Sequence, residues 1–204
     1  MAVTGLILVA FLLMHMFGNT KLLIPEIGAQ EFDEYSHYLR RFLYPVLPPM
    51  FFLWLFRITL LLSAAVHIIA AVPFTFRGHD AQGGMGRYLR QRDPWGRLIL
   101  GGVVFHLLQF TTQTITVGYD GSVDPHQRVV LGFQEWWLVA LYGLWMLAVC
   151  IHVWHGFYSA FCTLGARAGA FSQKVLVVCS WIVALLVYFG FMATPIAILT
   201  GLVS

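Results

Sequence analysis

Five histidines lie in stretches otherwise suited only to hydrocarbon: His15, His67, His106, and the pair His152 and His155 within Cys150-Ile151-His152-Val153-Trp154-His155-Gly156-Phe157. An ionisable side chain at membrane depth is costly unless partnered, and imidazole is a common axial ligand of haem iron. The four segments that carry these residues are therefore expected to form a bundle in which the histidines clamp two haems. The chain has no C-x-x-C-H pattern, so covalent c-type attachment is excluded and coordination and packing would hold the groups. Cys150, Cys162 and Cys179 are odd in number and lack C-x-x-C spacing, which argues against a disulfide framework and a zinc knuckle. A Rieske-like cluster built from Cys150, Cys162 and two histidines ranks low, because Cys150 and His152 are two apart and point to different helix faces.

The elements that must position these histidines are membrane helices. Of the 204 residues, 59% are hydrophobic and 10% charged, against roughly 25% charged in soluble domains, and the mean hydropathy is +0.78. Five apolar segments can be drawn over a single domain, 1–204: about 1–18, 50–74, 96–117, 135–161 and 175–200. At ~1.5 Å per residue each can cross a hydrocarbon layer of ~30 Å, the first barely. The fold expected is an all-α integral membrane protein of five transmembrane helices, the first four forming the haem-binding bundle.

Orientation follows from the basic residues. Arg77, Arg87, Arg90, Arg92 and Arg97 between segments 2 and 3, with Arg167 and Lys174 between segments 4 and 5, put the greater number on one side; Lys21, Arg40, Arg41 and Arg128 face the other. The positive-inside rule then predicts a multi-pass protein of the cell's inner membrane, N-terminus in the cytoplasm and C-terminus outside. Segment 1 has no basic n-region and is not a cleavable signal peptide. It also has no cytoplasmic flank, which leaves room for an upstream stretch. The net charge of +3 is a topology signal, and no aromatic-interleaved basic patch suggests nucleic acid.

Depth sorts the histidines. Segments 1 and 3 run outward with His15 and His106 in their outer portions; segments 2 and 4 run inward with His67 and His152 near their inner ends. The expected pairs are thus His15 with His106 outside and His67 with His152 inside. Small residues one turn before three of the ligands, Ser63, Gly102 and Ala148, leave room for a porphyrin face, whereas Phe11 before His15 departs from that pattern. Arg57 lies ten residues, roughly 15 Å, from His67, near the outer level, and needs a carboxylate partner or the interface; haem propionates would serve.

The connections carry weaker signals. A surface helix is expected over Glu31 to Arg41, turns over Gly118–Gln134, and a basic docking surface for a soluble subunit over Pro73–Gly96. The glycine run from Gly83 to Gly86 follows no strand and precedes no GK[ST], so a phosphate loop is rejected.

Taken together the motifs resemble the single-chain, five-helix, di-haem cytochrome b subunit of succinate dehydrogenases and fumarate reductases. The resemblance covers nearly the whole chain. It rests on His15-Met16-Phe17-Gly18-Asn19, Arg57 to His67, Phe105-His106-Leu107-Leu108-Gln109-Phe110, and His152-Val153-Trp154-His155-Gly156-Phe157-Tyr158 with Phe161-Cys162-Thr163-Leu164-Gly165. It selects His152, four before Gly156, as the fourth ligand and leaves His155 as a propionate or packing partner. It implies two b haems, an iron–sulfur subunit and an FAD flavoprotein on the cytoplasmic face, and electron delivery from succinate to quinone, typically menaquinone. A trimer of heterotrimers, the direction of the reaction and the quinone type stay open.

Some fumarate reductases of this type carry a Glu two residues before the fourth ligand; here Cys150 stands there, so a carboxylate relay through the membrane lacks its residue. By hydrogen-bonding chemistry the candidates for an outer quinone site are Glu34, His37, Gln109, Thr112 and Gln113, and for an inner one Arg97 and His155. The competing expectations are a cytochrome b subunit of a hydrogenase or formate dehydrogenase, and a haem-free transporter or structural anchor whose histidines pair with one another.

Overall fold

The computed structural model describes the backbone at residues 1–81, 94–120 and 123–203, and side chains at the same positions except 72–81 and 94–95. All regular structure among the described residues is helical. The elements are α1 (Ala2–Thr20), α2 (Gly28–Arg41), α3 (Phe51–Ala81), α4 (Pro94–His106), α5 (Pro125–Phe133), α6 (Trp136–Thr163) and α7 (Ala170–Leu199). A 3-10 turn, Lys21–Leu23, continues α1, and a π turn, Leu107–Thr111, continues α4.

Four stretches are long and apolar enough to cross a membrane: Ala2–Leu23, Phe51–Ala71, Trp136–Thr163 and Ala170–Leu199. They mark the chain as a multi-pass membrane protein. The third segment expected from sequence is shorter than drawn: its apolar helix covers Gly96–Thr111, and residues 112–117 leave the helical path. The physical reason is local. The amides of Thr112 and Thr114 turn back to the carbonyls of Leu107 and Leu108, at 2.9 and 3.0 Å, and Gln113 adopts a left-handed φ of 55°. Likewise α7 begins at Ala170, so Lys174 lies in its first turns and not in a connection.

The core is the seam between α6 and α7. Leu138, Tyr142, Met146, Val149 and Val153 recur on one face of α6, and Val187, Met192 and Ile198 face them from α7. Lipid tails are as apolar as these side chains, so association must come from close packing and interhelical hydrogen bonds. Buried Ser180 and Ala184 on α7 and Ala148 on α6 permit the approach, and Cys150 Sγ donates to the Ala184 carbonyl at 3.2 Å. α1 packs on both, α4 packs on α6, and α3 leans on α1 and α2.

The end of the bundle that carries α2 and α5, labelled outer for its place in the fold alone, is more structured than the sequence suggested. The surface helix expected near Glu31–Arg41 is present as α2, held to the end of α1 by Lys21–Glu31 at 2.9 Å and by the Tyr35 ring against Gly18. The connection read as turns instead contains α5. Asp124 caps it, Pro125 occupies its first turn, and Gln127 Oε1 accepts from the Asp124 amide at 3.3 Å, the returning half of a capping box. Asp33 of α2 completes that end: the His126 backbone N–H donates to Asp33 Oδ1 at 3.1 Å, and His126 Nδ1 lies 2.6 Å from Asp33 Oδ2. Gly118, at φ +78°, lets the chain pass the Leu131 carbonyl, where a Cβ would collide.

The run Gln82–Gly86, with Arg87, Arg90, Arg92 and Asp93, lies outside the described residues, and so do the side chains of Arg77, His79 and Asp80. The docking surface expected over Pro73–Gly96 falls on these residues.

Losing the Asp33 cap should cost α5 about 1 kcal/mol. Hydrogen exchange of Asp33→Ala is expected to show about fivefold faster exchange at the His126 and Gln127 amides, with α6 and α7 amides unchanged.

Candidate functional site: two histidine pairs at two depths

Helix length sets the depths. His67 follows the start of α3 at Phe51 by 67 − 51 = 16 residues, and His152 follows the start of α6 at Trp136 by 152 − 136 = 16. Both helices start from the same end of the bundle, so the two imidazoles reach the same level, roughly 24 Å along their axes. His15 lies five residues before Thr20 and His106 five before Thr111, since 20 − 15 and 111 − 106 are equal, and these two share a level nearer the outer end.

The structure brings each pair together. The His15 and His106 ring centroids are 5.8 Å apart at 77°, and those of His67 and His152 are 6.0 Å apart at 78°. Two imidazoles that bind one metal from opposite sides, with metal–nitrogen bonds of about 2 Å, place their centroids roughly 6 Å apart. Each pair also spans helices that do not pack substantially on one another among the described residues: α1 with α4, and α3 with α6. Side chains, not backbones, bridge these diagonals, as for cofactor sites built between facing helices of a bundle.

The outer pair is enclosed by aromatic rings. Phe11 stacks on His15 at 5.3 Å and 11°, and Phe191 lies 5.6 Å from it. Phe11, which broke the small-residue pattern in the sequence, thus has a packing role. Trp145 and Phe110 flank His106 at 5.8 and 5.3 Å. His106 Nδ1 lies 3.3 Å from the Tyr142 hydroxyl, which donates to Gln109 Oε1 at 2.9 Å. At the inner pair, His67 Nδ1 lies 3.2 Å from Thr4 Oγ1, which donates to the Met1 carbonyl at 3.0 Å. Gly5 sits against the His67 ring, where a Cβ would come 3.3 Å from Cε1. His152 is exposed on α6 toward the open α3 seam.

The donor set and spacing fit a metal held between two imidazoles at each level. An apolar groove of about 360 Å³ lies between α4 and α6, lined by Gly101, Gly102, Phe105, Tyr142 and Trp145 with Arg97; it reaches the Tyr142 and Trp145 rings beside His106 but neither histidine of the outer pair. Gly102 admits the Trp145 indole, whose Nε1–H donates to the Ile99 carbonyl at 3.2 Å; a Cβ at Gly102 would overlap the indole.

The other candidates are spread out. Arg57 is exposed in the second turn of α3 with its guanidinium over Trp54, 5.3 Å from the ring centroid, a snorkelling position. His155 is exposed one turn past His152. Gln109 is fully buried, with its Nε2 unpaired. Thr112 bonds Thr114 at 2.8 Å, and Glu34 accepts from Gln30 at 2.7 Å. Among the described residues no hydrogen bond or ion pair joins Glu34 or His37 to Gln109, Thr112 or Gln113, nor Arg97 to His155. Asp33, Asp124 and His126 have ligand-type atoms within 4.8 Å of one another, but the Asp33 carboxylate is already committed to the α5 terminus.

Sequence reasoning missed Tyr142 and Thr4. The signal was a hydroxyl inside each apolar run, ten residues before His152 and eleven before His15. Comparison with protein-family models, with curated proteins and with solved structures gives no match.

Gly102→Val should force the Trp145 indole out and destabilise the fold by about 1–3 kcal/mol, whereas Gly101→Ala, with nothing within 4 Å of the added Cβ, should be neutral. Thermal unfolding in detergent followed by tryptophan fluorescence separates the two.

Proposed function

We propose that this chain is the membrane-anchor cytochrome b subunit of a succinate:quinone oxidoreductase. The observation that supports the reading best is the crossed placement of two histidine pairs at two depths of a helical membrane bundle, each spaced for one metal. Bound there, two b haems supply one-electron carriers between an iron–sulfur subunit and a quinone. Everything else falls to the chain's own side chains. His15 and His106 hold the outer group, and His67 and His152 the inner. Phe11, Phe191, Phe110 and Trp145 exclude water around the outer pair. Arg57 offers a cation near the outer interface for a propionate.

The fifth crossing in this reading is Pro94–Thr111, 18 residues or about 27 Å of helix, short by little and closed by its π turn. The chain sits in the cytoplasmic membrane with the N-terminus inside. Its inner connections, rich in arginine, dock the iron–sulfur and FAD subunits, where the dicarboxylate chemistry takes place. Quinone is met at the outer end near Gln109, Thr112 and Gln113, with Glu34 and His37 on the α2 shelf above, or at the inner end near Arg97 and His155.

Purified protein is expected to carry two haems per chain by pyridine haemochrome assay. His106→Ala and His152→Ala should each retain one haem and His155→Ala two. Haem-free parent protein, or both haems retained in the two ligand variants, would overturn the assignment and favour a transporter or structural anchor. Co-purification with a flavoprotein, not a hydrogenase or formate dehydrogenase, distinguishes the partner complex.

A further inference from the structure

Two hydroxyls bear on the paired histidines in the same way. A hydroxyl has one proton to donate. Thr4 Oγ1 spends its proton on the Met1 carbonyl, which can only accept, so the proton in the Thr4–His67 contact must come from His67 Nδ1. The Tyr142 hydroxyl spends its proton on Gln109 Oε1, so the proton in the Tyr142–His106 contact must come from His106 Nδ1. This direction follows from the Gln109 amide, which sets Oε1 against the Tyr142 hydroxyl. In both histidines the ring nitrogen left with a lone pair is Nε2.

The helices that supply the hydroxyls cross over. α1 carries His15 at the outer level and Thr4 at the inner, 15 − 4 = 11 residues or about 16 Å apart; α6 carries Tyr142 at the outer level and His152 at the inner, 152 − 142 = 10 residues or about 15 Å apart. Each of these helices therefore contributes a pairing histidine at one depth and the orienting hydroxyl for the opposite histidine at the other.

We infer that Thr4 and Tyr142 are positioning residues that fix His67 and His106 as Nδ1–H tautomers, so that each presents Nε2 to the metal between its pair. The inference rests on the di-haem reading for its purpose, but the tautomers exist without the metal. A ligating histidine held through its other nitrogen is fixed in rotation and made a stronger donor, and loss of the outer partner typically weakens metal binding 10- to 100-fold.

The test has two arms. In the first, ¹⁵N-histidine NMR of the haem-free full chain in detergent should show both residues as Nδ1–H tautomers. Tyr142→Phe should release His106 alone and Thr4→Val His67 alone, with Thr4→Ser behaving as the parent. An Nε2–H tautomer in the parent, or no change in either variant, overturns the inference. In the second arm, haem transfer to apomyoglobin from the haem-loaded chain should be roughly 10- to 100-fold faster for one of the two haems in each variant, with the midpoint potential of that haem raised and the other's unchanged. Two haems retained as in the parent at unaltered potentials would also overturn it. A parent that never binds haem contradicts the oxidoreductase reading instead, and the tautomer arm still decides the orientation claim.

Discussion

The structure turns on the cost of placing an imidazole where water is scarce. A buried polar group without a partner costs a few kcal/mol, and lipid offers none. Each pair sets two rings opposite each other across the bundle, and at His67 and His106 a hydroxyl lies behind the ring. The helices are arranged around this need. α6 and α7 close tightly through small residues, while the α1/α4 and α3/α6 diagonals stay apart and are bridged by side chains.

Rigid spacing gives the arrangement its order. Both inner histidines lie sixteen residues beyond the outer start of their helices, by the differences given above, and both outer ones five residues before the outer end of theirs. Because an α-helix rises ~1.5 Å per residue, equal counts become equal depths. Two levels about 15 Å apart follow. The outer end then needs a lid, and α2 and α5, joined through Asp33 and His126, supply one.

Depth was legible in the sequence because it is linear: apolar run lengths located α1, α3, α6 and α7 and most of α4, and counting along these runs set His15 level with His106 and His67 level with His152. Rotation was not legible. Which face of α6 meets α4 depends on Trp145 seating against Gly102, a contact between residues 43 apart, 145 − 102, and without it Tyr142 is one more apolar-segment tyrosine. The end of the third segment was misplaced because Ile115, Thr116 and Val117 keep the hydropathy high after the backbone has left the helix at its π turn. Nine-residue α5 was overlooked although Asp124-Pro125 followed by Gln127 spells its cap; its short length gave too few turns for a periodicity to register. The scattered quinone candidates came from side-chain chemistry alone, which carries no information on proximity.

Whether each histidine pair grips one iron is decided by a side-chain-resolution density map of the haem-loaded protein in lipid. The expected result is one macrocycle between His15 and His106 and another between His67 and His152, with the paired histidines as the iron ligands, each iron–nitrogen distance about 2 Å. Density showing either pair in direct ring contact, or a macrocycle ligated by other residues, would contradict it.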